Sequence, residues 1–236
     1  MNVGVLLAAG ASRRMGRTKS LVRAAGQTYF THGVRHLWSA CDAVVVVLGS
    51  GAHTVRSAAE EEFVRLANQG ALHVELQAAH RHGSRGLEVQ FVVNRAWRKG
   101  MLGSARLGLR AALRLKPDGV LVLPVDHPSV KPATVRALAT AMRAALGSYR
   151  GVPTKRGAGR RGGPASAADG FAYALVPRFR RRRGHPLALS PALARAIARD
   201  REATDLSDAV RRNARLVGYL DCADAGVVRN RNTPGA

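Results

Sequence analysis

The fold of this chain is decided by residues 3–10, which read V-G-V-L-L-A-A-G. An apolar run of this length that stops at a glycine is typical of a buried β-strand followed by a tight turn. Two later runs have the same character: Ala43–Leu48 reads A-V-V-V-V-L, and Gly119–Val125 reads G-V-L-V-L-P-V. Because strands without a polar face are buried on both sides, these runs predict the central strands of a parallel sheet.

Helical segments separate the predicted strands. Apolar residues recur at helical spacing in the five stretches Tyr29–Ala40, Val55–Leu66, Leu102–Leu115, Pro132–Leu146 and Pro191–Ala198. Shorter apolar runs predict further strands at Val89–Val93, Phe171–Val176 and Leu216–Leu220. This alternation predicts an α/β fold with a mostly parallel sheet and right-handed crossovers, in which ligands bind beyond the carboxyl ends of the strands. Gly10, Asn94 and Asp126 each follow a predicted strand and are therefore candidate site residues.

The composition favours one globular domain over residues 1–236. Hydrophobic residues make up 46% of the 236, and the longest apolar runs are far too short to cross a membrane. The apolar N-terminus lacks a basic leader and predicts a strand instead of a signal peptide. Two cysteines, Cys41 and Cys222, do not make a disulfide framework, and each is expected to be a small buried hydrophobe. A cytoplasmic location follows by elimination.

The strong positive charge allows two interpretations. The chain has 38 Lys and Arg against 15 Asp and Glu, a formal net charge of +23. Such a charge attracts polyanions, including nucleotides, phosphorylated substrates and nucleic acid. Arginine dominates, however, since only residues 19, 99, 116, 131 and 155 are lysine, and a compositional bias spread over the whole surface is the favoured explanation. Charge alone therefore does not make nucleic acid the favoured partner.

Two stretches look irregular. Residues 71–86 carry His73, His80 and His82 among glycines, at a spacing that matches no standard metal-ligand set, and a solvated loop is predicted there. Residues 155–168 are rich in glycine, arginine, proline and alanine and predict a flexible basic surface loop.

The segment Leu7–Lys19 carries the clearest chemical signal. It follows the first predicted strand and is rich in small residues, which let backbone N–H groups approach phosphate oxygens closely. Arg14 and Lys19 add positive charge suited to a triphosphate. The spacing of Gly10 and Gly16 excludes a Walker A loop. A plain strand-to-helix turn with surface arginines is the alternative interpretation.

These residues, L-A-A-G-A-S-R-R-M-G-R-T-K, resemble the L-x-[AG]-G-x-S-x-R-M-G-x-x-K signature of nucleotidyltransferases related to the molybdenum-cofactor guanylyl- and cytidylyltransferases. Residues 94–104 resemble that family's N-x-x-W-x-x-G-M-x-x-S segment, and residues 122–128, V-L-P-V-D-H-P, its strand ending in a metal-binding aspartate. Residues 183–186, R-G-H-P, resemble its acceptor-side turn, and residues 230–234, N-R-N-T-P, its closing motif. The resemblance spans essentially the whole chain.

The resemblance implies a Rossmann-like three-layer α/β/α sandwich with a mostly parallel mixed sheet. It implies Mg²⁺ held by Asp126 and Asn232, and catalysis by Arg14, Lys19 and Asp126. Nucleotide-binding residues would be Leu7, Ala8, Ala9, Gly10, Arg14, Met15, Gly16, Lys19, Asn94, Gly100 and Ser104. The acceptor would lie against Gly184, His185 and Pro186.

The reaction implied is transfer of a nucleoside monophosphate from an NTP, with CTP or GTP favoured, to a phosphorylated small-molecule acceptor. Molybdopterin cytidylyl transfer is the best single candidate, because Ala9 replaces the glycine common in the guanylyl branch. The closing N-R-N-T-P and the segment 201–206 depart from the cytidylyl pattern. A sugar-phosphate or other small-phosphate acceptor, or a non-catalytic nucleotide- or nucleic-acid-binding protein, therefore stays open. A monomer or small homo-oligomer is expected, without a membrane.

Overall fold

The computed structural model describes residues 1–10, 18–68, 74–76, 87–149 and 171–231. Its strands are β1 (Asn2–Ala8), β2 (Arg23–Ala24), β3 (Gln27–Thr28), β4 (Ala43–Leu48), β5 (Val74–Leu76), β6 (Leu87–Val93), β7 (Gly119–Pro124), β8 (Tyr173–Phe179), β9 (Arg182–Arg183), β10 (Leu187–Leu189) and β11 (Leu216–Asp221). Its α-helices are α1 (Tyr29–Trp38), α2 (Ala52–Asn68), α3 (Met101–Arg114), α4 (Pro132–Tyr149), α5 (Pro191–Arg199) and α6 (Leu206–Asn213).

The main sheet has the strand order β11-β8-β10-β7-β1-β4-β6-β5, with β9 paired to β8. The pairs from β7 to β5 are parallel, as is β11 with β8, whereas β10 runs antiparallel to both of its neighbours. Every residue of β1, β4 and β7 is buried. The three runs without a polar face therefore form the centre of the sheet, as predicted.

Helices cover both faces of the sheet. Apolar side chains of α1, α2 and α4, among them Phe30, Phe63 and Leu138, form one core with one face of the sheet. Those of α3, α5 and α6, among them Leu109 and Ile197, form a second core on the other face. The predicted three-layer α/β/α sandwich with a mostly parallel mixed sheet is confirmed.

Several elements differ from the sequence-based expectation, among them the unpredicted two-residue strands β2, β3 and β9. Strand β10 and helix α6 were not predicted, since three residues and eight residues carry little periodic signal. Strand β5 lies inside the predicted loop 71–86 and extends the sheet next to β6, so the loop prediction is wrong for residues 74–76. The three histidines of that stretch and the predicted loop 155–168 lie outside the described residues.

The two cysteines differ in burial. Cys41 is buried as predicted, whereas Cys222 is half-buried because it follows β11, the last strand of the sheet order. Within the described ranges, no helix is long and apolar enough to span a membrane.

A buried carboxylate ties α2 to the segment that leads into α1. Glu62 accepts hydrogen bonds of 2.5 Å from the hydroxyls of both Thr28 and Thr31, and Arg23 and Arg65 lie 3.6 and 3.4 Å from it. Burial alone would raise the pKa of Glu62, but the hydrogen bonds from Thr28 and Thr31 outweigh burial and hold the pKa below its usual 4.5. Thr28 is also the N-cap of α1.

We predict that Glu62→Gln lowers the free energy of unfolding by about 3 kcal/mol, because it removes a buried charge that two hydroxyls and two arginines satisfy. Urea denaturation at pH 7 measures the change. Glu60→Gln, which breaks only the exposed pair with Arg56, should cost less than about 0.5 kcal/mol. The depressed folded pKa means that the difference between wild type and Glu62→Gln is complete above about pH 4.5 and shrinks as the pH falls through that folded pKa. Equal costs for both variants would contradict this role.

Candidate active site

Three loops leave the same edge of the sheet. Leu7 of β1 is in register with Val47 of β4 and with Pro124 of β7. Because the three strands are parallel, the residues that follow them meet at their carboxyl ends. Their turns are bonded together: the Val125 N–H donates to the Leu7 carbonyl (3.0 Å) and the Ser50 N–H to the Ala9 carbonyl (3.2 Å).

A cavity of about 350 Å³ opens at this edge. Its lining combines the predicted loop, the start of α3 and the end of β7: Leu7, Ala9, Gly10, Lys19, Ser20, Trp97, Arg98, Gly100, Met101, Ser104, Pro124, Val125 and Asp126. Six of the predicted nucleotide-binding residues therefore share one cavity with the predicted metal ligand Asp126. Arg14, Met15 and Gly16 lie outside the described residues, and their roles stay predictions.

Lys19 and Asp126 face each other in this cavity. The Lys19 Nζ lies 3.5 Å from the Asp126 Oδ2, and the two side chains are only 17% and 21% exposed. Lys19 begins a short 3-10 helix, Lys19–Leu21, whose Ser20 is buried. Asp126 comes two residues after the fully buried β7. The fold thus places one cation and one carboxylate in a partly desolvated space, where both act more strongly on a ligand than in water.

The N-terminus of α3 opens onto the cavity. Its N-cap, Gly100, has φ 108°, a conformation that strongly favours glycine, and no side chain caps the helix. The first N–H groups of a 14-residue helix are therefore available to a ligand, and helix N-termini favour anions. Ser104 lines the cavity one turn further along the helix.

Asn94 lies behind this helix start. Its Nδ2 donates to the Ser104 Oγ (2.9 Å), its Oδ1 accepts from the Ala96 N–H (3.0 Å), and it is only 8% exposed. Asn94 is not part of the cavity lining, and neither is Ala8, which is buried within β1. The structure shows Asn94 holding Ser104, so direct contact between Asn94 and a nucleoside stays a prediction.

The predicted acceptor turn reaches the cavity through a second histidine. The His185 ring packs edge-on against the His127 ring at 4.8 Å, and the His127 Nε2 lies 3.9 Å from the Asp126 Oδ1. Gly184 is required beside it, since a Cβ there would overlap the Val227 carbonyl, and the His185 N–H donates to that same carbonyl. The peptide bond between His185 and Pro186 is cis.

Both histidines are neutral at neutral pH. Burial, followed by the neighbouring His127, lowers the pKa of His185 to about 4. Burial also lowers the pKa of His127, although the Asp126 carboxylate acts in the opposite direction. These rings therefore add no positive charge beside Asp126.

The chain returns to the cavity near its C-terminus. The buried Asp224 accepts hydrogen bonds of 2.8 Å from the Lys131 and Gly226 N–H groups and from the Thr134 hydroxyl. The segment that follows passes alongside the metal candidate, because the Arg231 N–H donates to the Asp126 carbonyl (2.8 Å). Asn232, the predicted second metal ligand, lies outside the described residues, one residue beyond this contact.

Sequence reasoning assigned no role to several residues that the structure brings to the site. Trp97 and Met101 stand at fixed positions of the N-x-x-W-x-x-G-M-x-x-S motif, and His127 directly follows the motif aspartate Asp126, so the motifs were the available signal. Ser20 and Arg98 line the cavity without any such signal.

The chain is similar to several known proteins. The family model described as the MobA-like NTP transferase domain matches residues 4–216. Nicotine blue oxidoreductase of Paenarthrobacter nicotinovorans is 32% identical over 94% of this chain and 87% of its own length. A nucleotidyl transferase structure from Methanothermobacter thermautotroptrophicus has a TM-score of 0.63 at 20% identity, over 99% of this chain and 92% of that chain. Rv0371c of Mycobacterium tuberculosis H37Rv in complex with manganese has a TM-score of 0.56 at 20% identity, over 94% and 88% of the two chains.

Two neighbouring glycines allow a test of how the loops pack. A Cβ at Gly49 would overlap the Ala9 carbonyl and approach the Trp97 Cβ to 2.8 Å, whereas a Cβ at Gly10 would meet nothing within 4 Å. We predict that Gly49→Ala lowers the free energy of unfolding by about 1–3 kcal/mol through overpacking. Gly10→Ala should leave stability within about 0.5 kcal/mol but weaken NTP binding, because Gly10 lines the cavity. Urea denaturation and NTP titration measure the two effects, and equal stability losses would contradict the packing argument.

Proposed function

The chain belongs to the MobA-like NTP transferase domain family and is by that membership a nucleotidyltransferase that uses NTP substrates; from this premise we propose that it transfers a nucleoside monophosphate to a phosphorylated small-molecule acceptor, with Mg²⁺ as cofactor. The observation that carries the proposal is the pairing of Lys19 and Asp126 across a cavity at the carboxyl ends of the central strands. Molybdopterin cytidylyl transfer is the specific reaction we propose first.

The residues fit a magnesium ion. Mg²⁺ in phosphate-transferring sites takes one or two protein carboxylates or amide oxygens and completes its shell with phosphates and waters. Asp126 supplies such a carboxylate, and Asn232 is the proposed second ligand. The described residues hold no cluster of three or more His, Cys, Asp or Glu, which agrees with a site that depends on ligand phosphates. The manganese in the M. tuberculosis neighbour is consistent with a divalent ion in this fold. When bound, the ion would polarise phosphate oxygens.

The chemistry asks little covalent work of the chain. An oxygen of the acceptor phosphate attacks the α-phosphorus of the NTP, the bond from that phosphorus to the bridging oxygen breaks, and pyrophosphate leaves with the electron pair. The attacking phosphate is already anionic, so no general base is needed. Lys19 and Arg14 are proposed to neutralise the charge that develops on the phosphates, and the N–H groups at the start of α3 to orient them.

The ion pair between Lys19 and Asp126 has a further consequence for binding. The Lys19 ammonium lies 3.5 Å from the Asp126 Oδ2 and offsets its charge in the cavity. If a metal and a nucleotide bind here, Asp126 would hold the cation and the Lys19 ammonium would pair with a phosphate. We therefore propose that the fold itself positions Lys19 for the triphosphate.

The choice of base and acceptor rests on fewer residues. Ala9 lies in the cavity lining at the position where the family resemblance associates alanine with the cytidylyl branch, which favours CTP. The G-H-P turn packs against His127, so an acceptor lying on His185 would be close to Asp126. A sugar phosphate would satisfy the same contacts and is the alternative acceptor.

A second candidate function rests on the relative from P. nicotinovorans, which is named as an oxidoreductase. A redox reaction would need an electron donor in the same cavity. A nicotinamide dinucleotide also carries a pyrophosphate, which Lys19 and the α3 N-terminus could bind. Transfer from an NTP remains first, because the Lys19 and Asp126 pair is suited to a metal-bound triphosphate.

We predict that Asp126→Ala lowers Mg²⁺-dependent pyrophosphate release by about a thousandfold or more, since its carboxylate is the proposed metal ligand. A coupled pyrophosphate assay with each of the four NTPs and candidate phosphorylated acceptors measures the loss. Asp118→Ala, which removes an exposed carboxylate at the opposite edge of the sheet, is the matched control. Unchanged turnover in the Asp126 variant would exclude it as the metal ligand.

We also predict that NTP raises the Tm of the wild type and that Lys19→Met loses most of this shift, because the ammonium would no longer reach the phosphates. Lys131→Met, which removes an exposed lysine outside the cavity, should keep the full shift. Equal shifts in both variants would remove Lys19 from the phosphate role. A larger Tm shift with NADPH than with any NTP, together with NADPH-dependent reduction of an added electron acceptor, would favour the redox candidate.

A further inference from the structure

A second groove, of about 520 Å³, lies between α3 and α5 on the helical layer that they share with α6. Five of the seven described residues that line it are arginine; these seven are Arg110, Leu113, Arg114, Arg195, Ala198, Arg199 and Arg201. None of these residues lines the active-site cavity. The groove is therefore a separate site of strong positive charge.

The arginines are arranged at the cost of like-charge repulsion. Arg110 and Arg114 are four residues apart on α3, and Arg195 and Arg199 are four residues apart on α5. Side chains at this spacing are neighbours on one helix face, where opposite charges stabilise and like charges destabilise. Each of the two helices thus presents one like-charged pair of arginines to the groove between them.

Two carboxylates near the groove, Asp200 and Glu202, pair with an arginine outside it. Asp200 and Glu202 alternate with Arg199 and Arg201 along the chain, but both carboxylates pair with Arg212 on α6. Asp200 also accepts from the Glu202 and Ala203 N–H groups and from the Asn213 amide. Among the described residues that line the groove, none is acidic. Acids and arginines of this segment are thus directed to opposite sides.

We propose that this groove binds the sugar–phosphate backbone of a nucleic acid, without sequence specificity. Guanidinium groups bind phosphates bidentately, and four of the five arginines are exposed. Arg110 is fixed in place by its donation to the Ala198 carbonyl (2.9 Å). Among the described residues of the lining there is no aromatic side chain to stack a base and no acid to accept from a base edge.

An acidic protein segment is the competing occupant, and the lining argues against it. Protein interfaces depend on aromatic and large apolar anchors at their centres. Here Leu113 and Ala198 are the apolar members of the lining. A phosphate backbone needs cations instead of such anchors, so nucleic acid fits this groove better.

The test compares two variants of the full chain with equal loss of charge. Arg114→Gln with Arg199→Gln removes two groove arginines, and Arg136→Gln with Arg143→Gln removes two exposed arginines of α4 on the opposite layer. Glutamine keeps a helix propensity close to that of arginine. Fluorescence anisotropy of a labelled single-stranded DNA of about 20 nucleotides, titrated from about 50 to about 200 mM salt, gives affinity and salt slope.

The groove variant should bind the oligonucleotide at least about tenfold more weakly at about 100 mM salt. The slope of log K against log salt concentration should be less negative by about 1.4, which is about 0.7 for each lost phosphate contact. The α4 variant should stay within about twofold of the wild type, and pyrophosphate release should be unchanged in both. Equal losses in the two variants would overturn the proposal, because they would show binding by the whole charged surface. If the wild type does not bind the oligonucleotide detectably, the proposal is also overturned. The same holds if the groove variant loses binding of polyglutamate but binds the oligonucleotide as well as the wild type does.

Discussion

The site depends on the position of β1 at the centre of a parallel sheet. This strand is buried along its whole length and hydrogen-bonded on both edges, to β4 and to β7. Its register brings the ends of all three strands to one level, so that Gly10, Gly49 and Asp126 follow at the same edge. A change in this register would separate the loop that carries Lys19 from the strand that delivers Asp126.

Close backbone packing transmits this register to the chemical groups. The loops after β1 and β4 meet so closely that Gly49 has no room for a side chain, and the loop after β7 is bonded to the Leu7 carbonyl. Asp224 and the Arg231 N–H then bring the C-terminal segment beside Asp126. Glu62, from the other side, fixes Thr28 and the entry to α1. Buried hydrogen bonds therefore hold the segments around the cavity, an arrangement that would preorganise the proposed phosphate site.

The sequence motifs named residues that the structure places around one cavity, and there is a physical reason for this. Small residues, a cation and a carboxylate placed directly after strands are local features that a phosphate site needs. The structure places Lys19 and Asp126 together, as the pattern implied. It also shows what local patterns do not carry: Asn94 holds Ser104, and His127 links Asp126 to His185. Such contacts form between side chains only after folding, so the spacing of motif residues in the sequence does not predict them.

The sequence by itself determined the central strands and the fold class, because continuous apolar runs act locally; the chemistry of the loop after β1 stays a prediction. Only the tertiary structure decided the antiparallel insertion of β10, the addition of β5 and the presence of α6, since short elements are stabilised by their neighbours and not by their own propensity. It also decided where the excess arginines lie. From the composition, the net charge of +23 was expected to be spread over the whole surface. In the folded chain, α3 packs against α5 and five arginines line one groove. The reason is that helix faces, and not neighbours in the sequence, meet when the chain folds.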